Sequence, residues 1–169
     1  MALPWDKSCL KMELSEFLNK MESAYQELPQ LMLNNMDVAA LDSKALIQQR
    51  IQEQGVDADG KEFRDYTKKY KKKKEKAGKY RGVVDFTYTT DMWSSISIIE
   101  SKILPDQVKV RIGGVDEPNR LKMQGLAFGQ PERGIKGRGY FLELANDELD
   151  LVREGVGERF TDDIKRLIS

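Results

Sequence analysis

The chain has 169 residues, enough for one domain with a sizeable core, and its 28 basic and 28 acidic side chains cancel to zero net charge. That balance argues against a protein that coats nucleic acid over its whole surface, and the lack of any histidine removes the commonest general base and the usual zinc ligand. No apolar run is long enough to span a bilayer, and the opening MALPWDKSCLKMEL lacks the apolar core of a signal peptide, so a soluble intracellular or virion protein is expected, with no membrane partner.

From the N-terminus, Cys9 stands alone, which rules out a disulfide within one chain, agrees with a reducing cytoplasm, and reads as a small buried residue. Leu10, Leu14, Phe17, Leu18, Met21, Tyr25 and Leu28 recur at three and four, predicting an amphipathic helix over residues 1–30 that Pro29 stops and that packs on the rest of the fold. A second helix is expected from Asn35 as cap, with Met36, Ala40, Ile47 and Ile51 on one side, ended by Gly55. QGVDADG reads as a turn. Its Asp57 and Asp59 do not make a calcium loop, because aligning Gly60 with that loop's glycine puts Gly55 and Tyr66 at the first and last ligand positions.

Residues 61–82 form a lysine-rich helix or loop. As a helix it places Phe63, Tyr66, Tyr70, Ala77 and Tyr80 on one side, with Lys73 interrupting the stripe, and lysines on the others. So many like charges repel when the helix stands alone, so it needs a surface beneath the aromatics or an anionic partner around the lysines. Two readings stay open: a solvated basic element lying over the fold, or contact with DNA phosphates or an acidic protein surface. The candidate contact residues are Lys68, Lys69, Lys71, Lys72, Lys73, Lys74, Lys76, Lys79 and Arg81.

VDFTYT then reads as a short strand, and Thr90 or Asp91 as the cap of a helical turn that delivers Met92 and Trp93 to the core. Ile96 to Leu104 and Val108 to Ile112, joined at Pro105 and Asp106, predict a β-hairpin with one buried face, ended by Gly113 and Gly114. A helix capped by Asp116, with Pro118 in its first turn, comes next. Residues 129–139 read as a mobile glycine-rich loop whose Arg133, Lys136 and Arg138 touch a neighbour or solvent, since the glycine order does not match a dinucleotide fingerprint. Tyr140 to Leu144 should be the last strand, and Asn146 the cap of a final helix carrying Leu149, Val152, Val156, Phe160, Ile164 and Leu167. The sum is a single α+β domain over residues 1–169, a small antiparallel sheet flanked by helices.

Catalytic chemistry is missing from this pattern. No serine stands in a nucleophile elbow, Cys9 has no imidazole to activate it, and acid pairs such as Asp162 and Asp163, or Asp147 and Asp150, read as solvated helix faces, so no enzyme and no cofactor is expected.

As an ordered set, the ALIQQRIQEQG helix end, DGKEF, the Tyr-x3-Tyr-x-Lys run, VDFTYT, DMWSSI and the closing RGYFLELANDELDLV resemble the neck and tail-completion proteins of long-tailed DNA bacteriophages. The likeness covers Leu46 to the C-terminus and departs from the family at Thr90, where glycine is usual, and at Trp93, where leucine or methionine is common. It implies a virion protein of the head-tail junction or tail end, assembled in the host cytoplasm. Its partners would be copies of itself in a ring, a hexamer by analogy, with head-closure and tail-tube proteins on either side. The segregation of charge, basic in the middle and acidic from Asp147 to Asp163, suits head-to-tail contacts in such a ring. The alternative is an accessory protein that binds nucleic acid non-specifically through the Lys68 to Arg81 block.

Overall fold

The computed structural model describes residues 7–87, 91–130, 135–137 and 141–168, with side chains from Leu14 onward apart from Gln130 and Ile135. The side chain of Cys9, the cap at Thr90, and Arg133 and Arg138 therefore lie outside the described residues.

Helix α1 spans Lys7–Gln54, a rod about 72 Å long at the usual helical rise. The stop expected at Pro29 does not occur, and the two helices read on either side of it are one. Proline's fixed φ fits a helix; what it removes is the bond to the carbonyl four residues back, that of Tyr25. Both residues are exposed, which gives that carbonyl access to solvent. Asn35 is no cap. It sits buried inside the helix, its amide donating to the Leu31 carbonyl at 3.1 Å and to Asp163 Oδ2 at 2.8 Å. Gly55 does end the helix, with φ +68° and its N–H on the Ile51 carbonyl at 3.1 Å.

Helix α2, Lys68–Lys76, and the single turn α3, Asp91–Ser94, lead into the hairpin of β1, Ile96–Ile103, and β2, Val108–Gly114. The strands pair antiparallel from Ile96 with Gly114 to Ile103 with Val108, with an irregularity between Ile98 and Glu100. The hairpin lies on α1, where Lys44 Nζ donates to the Ile96 carbonyl at 2.6 Å and Ser101 Oγ to Asp37 at 2.6 Å. Helix α4, Glu117–Phe128, starts as expected. Asp116 accepts the Asn119 N–H at 2.8 Å, and its carboxyl is held below the usual range first by the Asn119 side-chain amide and then by that N–H.

Helix α5, Asn146–Ile168, runs antiparallel to the C-terminal half of α1. Three polar contacts fix the register: Arg50 with Glu148 at 3.0 Å, Asp42 with Arg159 at 3.1 Å, and Asn35 with Asp163. Asn146 is the first helical residue, and the end is held by Glu148, which accepts the Ala145 N–H at 2.8 Å. Following that register, Ile168 lies beside α1 near residue 30. The helix face expected to pack, Leu14, Phe17, Leu18, Met21 and Tyr25, is instead 44 to 76 % exposed.

Three further expectations are corrected. VDFTYT forms no strand over its described part, Val84 to Thr87, because Phe86 takes a left-handed φ of +51° that breaks an extended run. The described part of the last strand, Phe141 to Leu144, is also irregular. The stretch read as a mobile loop contains a two-residue ladder, β3 Gly129–Gln130 with β4 Ile135–Lys136.

The core gathers Ile47 and Ile51 of α1 with Phe63, Val84, Phe86, Met92, Trp93, Ile96 and Phe141. Phe86 is its hub: its ring lies 4.7 Å from Phe63 and 5.3 Å from Phe141, which in turn meets Trp93 edge-on at 6.2 Å. Trp93 is 2 % exposed, as the sequence led us to expect. The fold is α+β, helices around a small antiparallel sheet.

Candidate interaction surface: the lysine strap

Residues 56–82 cross the end of α1 as a strap. It begins with the turn at Asp57, whose Oδ1 accepts the N–H groups of Asp59 at 3.1 Å and Lys61 at 2.9 Å, and a bridge between Val56 and Glu62 closes it. The chain then runs extended through Phe63, which plugs the core, to Thr67, whose hydroxyl caps α2 by accepting the Tyr70 N–H at 3.4 Å. Lysines in the last turn suit the negative end of the helix dipole. Gly78, with φ +66°, turns the chain beyond it.

The aromatic stripe is therefore not one helix face. Phe63 and Tyr66 precede α2, Ala77 and Tyr80 follow it, and only Tyr70 lies within it. The inward lysine is Lys74, one turn after Tyr70, and not Lys73, which is exposed. Lys74 is fully buried and forms an ion pair with the buried Asp85. Its Nζ also donates to the Tyr66 hydroxyl at 3.4 Å and lies 4.8 Å from the centre of that ring. The Tyr66 hydroxyl donates to Asp85 Oδ1 at 2.9 Å and accepts the Phe86 N–H at 2.9 Å, and the Thr87 N–H reaches the same carboxylate at 3.0 Å. Burial, and after it the hydrogen bond to Asp85, raises the Tyr66 hydroxyl well above an ordinary phenol. This cluster holds Phe86 in its left-handed conformation and fastens the strap to the core. Lys74 is thus corrected from candidate contact to internal fastener.

Lys71 is half committed. It pairs with Asp65 at 3.1 Å, lies 4.8 Å from the centre of the Tyr80 ring, and is pushed up to about 12 by hydrogen bonds first to Tyr80 and then to Asp65. The remaining candidates on α2, Lys68, Lys69, Lys72, Lys73 and Lys76, are all exposed. Their spacing lays them in two adjacent rows on one face. Lys79 and Arg81 are exposed just beyond the helix. Lys136 is exposed on β4, a separate element after α4.

Sequence reasoning missed the buried pair of Arg50 and Glu148. Its signal was available: Arg50 falls between Ile47 and Ile51 on the inward face of α1, where an arginine demands a partner. The acidic stretch near the end is accordingly reduced, with Glu148 buried, but Asp147, Asp150, Glu154, Glu158 and Asp162 are exposed on α5. No helix among the described residues is long and apolar enough to cross a membrane. No protein-family model, curated protein or solved structure matches the chain.

Proposed function

We propose that the chain is a structural protein of a tailed-phage virion, acting at the head-tail junction or the tail end as a subunit of a ring and working by shape and interface without turnover. The observation that carries this reading is the bare apolar face of α1 from Leu14 to Tyr25: a contiguous stripe of large apolar side chains left in solvent marks a surface built for a protein neighbour. The separation of an exposed basic face on α2 from an exposed acidic face on α5 supports the same reading, since opposite patches on one subunit favour head-to-tail contacts. The resemblance of the motif order to neck and tail-completion proteins supports a place at the head-tail junction or tail end. Mass spectrometry of purified particles tests it: the chain is expected among the virion proteins, and its absence would refute the reading.

One observation favours a second reading. The five exposed lysines of α2 are a phosphate-binding footprint without base-reading groups. Binding to random duplex DNA at physiological salt with a Kd well below roughly 10⁻⁶ M, lost when Lys68, Lys69, Lys72, Lys73 and Lys76 become glutamine, would favour a nucleic-acid accessory role. We expect weak DNA binding, and heads and tails that fail to join when those lysines are neutralised.

A further inference from the structure

Apolar surface is left bare at a second place. Between the base of the hairpin and α4 lies a groove of about 550 Å³, walled by Ile99 and Ile112, by Val115 in the connection, and by Met123, Ala127 and Phe128 of α4. Ile99, Val115 and Phe128 stand well exposed around it. Its volume is within the range that accepts several bulky side chains. Among the described residues that line it, the one charged side chain is Arg120.

We infer that this groove receives the Leu14–Leu28 arm of α1 from a second copy of the chain, so that every subunit gives an arm and takes one. The inference rests on the assembly reading above and names its contact. Three features of the molecule select this occupant. The arm cannot reach its own groove: the hairpin touches α1 from Lys44 at Ile96 to Asp37 at Ser101, and Leu28, the nearest residue of the arm, lies nine residues beyond Asp37 on the same continuous helix, about 14 Å along its axis. Pairing of two arms along their apolar faces is opposed by charge, because each arm carries Glu16, Glu22 and Glu27 against Lys20 alone over Leu14 to Leu28. The groove answers that charge with Arg120, and among the described residues its lining holds no acid. An amphipathic helix with anchors at i, i+3, i+4 and i+7, here Leu14, Phe17, Leu18 and Met21, fits the helix-in-groove mode of recognition. Such a contact joins two different patches, so repetition closes a ring or extends a filament.

The test uses the full chain in sedimentation velocity up to several hundred micromolar. Two variants disable one side each: Phe17→Glu with Met21→Glu on the arm, and Val115→Glu with Phe128→Glu at the groove. All four positions are solvent-exposed, and circular dichroism checks that each variant folds. The parent is expected to associate, each variant to weaken association by roughly 30-fold or more per anchor lost, and an equimolar mixture of the two to form a one-to-one dimer and nothing larger. That last result requires two different patches. Association abolished by the arm variant but untouched by the groove variant would mean arm-arm pairing and overturn the inference, as would a parent that stays monomeric throughout. The two readings fail separately. A chain found in virions whose association ignores both variants loses only the arm contact; a chain absent from virions that still associates through arm and groove loses only the virion role.

Discussion

Replacing Lys74 with methionine keeps the aliphatic stem and removes the charge, leaving Asp85 in the core without its counter-ion and with the Tyr66 hydroxyl and the Thr87 N–H as donors. Removing one partner of a buried ion pair costs about 3 to 5 kcal/mol, because the desolvated charge left behind has no counter-ion. The two donors that persist place Lys74→Met at the lower end, about 3 kcal/mol. For a chain of this size that is a fall in Tm of roughly 6 to 12 °C. Lys72→Met, exposed on the same helix, should stay within about 0.5 kcal/mol of the parent. Adding Asp85→Leu to Lys74→Met should recover only part of the loss, since it removes the orphan charge but leaves the Tyr66 hydroxyl and the Thr87 N–H without their acceptor. Urea unfolding followed by circular dichroism measures all four proteins. If Lys74→Met unfolds at the same urea concentration as Lys72→Met, the strap is not fastened through that pair. The design also bears on DNA-binding tests: neutralising Lys71 to Lys74 as a block would mix loss of fold with loss of surface.

Trp93→Ala should destabilise by about 3 to 5 kcal/mol in the same assay, because the ring is buried against Phe141, and an unchanged melt would contradict that packing. Gly55→Ala should cost more than about 1 kcal/mol, since the new Cβ meets a left-handed φ and stands 2.8 Å from Val83 Cβ; a neutral result would mean the helix end rearranges freely. Tyr66, raised above its ordinary 10.0 by burial and then by Asp85, favours its protonated form in the fold, so its contribution is complete below that value and is lost as pH climbs beyond it. Absorbance titration of the folded protein near pH 11 should therefore be the same for the parent and Tyr66→Phe, and a drop of one tyrosine's share in the variant would refute the assignment.

Elements whose signals are local were legible in the sequence. The Asp116 cap, Gly55 as a helix end, the hairpin and the burial of Met92 and Trp93 all follow from a residue and its near neighbours. What was not legible depends on partners far along the chain. Pro29 reads as a stop because proline removes a hydrogen bond locally, yet its fixed φ fits a helix and the freed Tyr25 carbonyl faces solvent, so α1 runs through it, while contacts from Asn35 to Arg50 with α5 and the hairpin fix only the part beyond. Val84 to Thr87 has the composition of a strand, and the Tyr66, Lys74 and Asp85 cluster bends it into something else. At the candidate surface, the lysines were visible as a group. Which of them turns inward was not, because the aromatic spacing spans an extended segment, a short helix and a turn, and only the helix gives the true phase.

Pro29 sits close to where α1 parts company with α5, and that coincidence changes how the helix transmits force. A rod lacking one rung of its ladder bends most easily at that rung, and here the rung is missing where lateral support gives way to open solvent. The fifteen residues from Leu14 to Leu28 form a lever about 22 Å long, so a bend of only about 20° at the proline carries its tip through about 8 Å. The pivot lies outside the aromatic core, and the lever can swing without disturbing Phe86, Trp93 or the strap. One sequence thereby combines a stiff body with an adjustable reach, which lets a neighbour at varying angle or distance be met without repacking the interior.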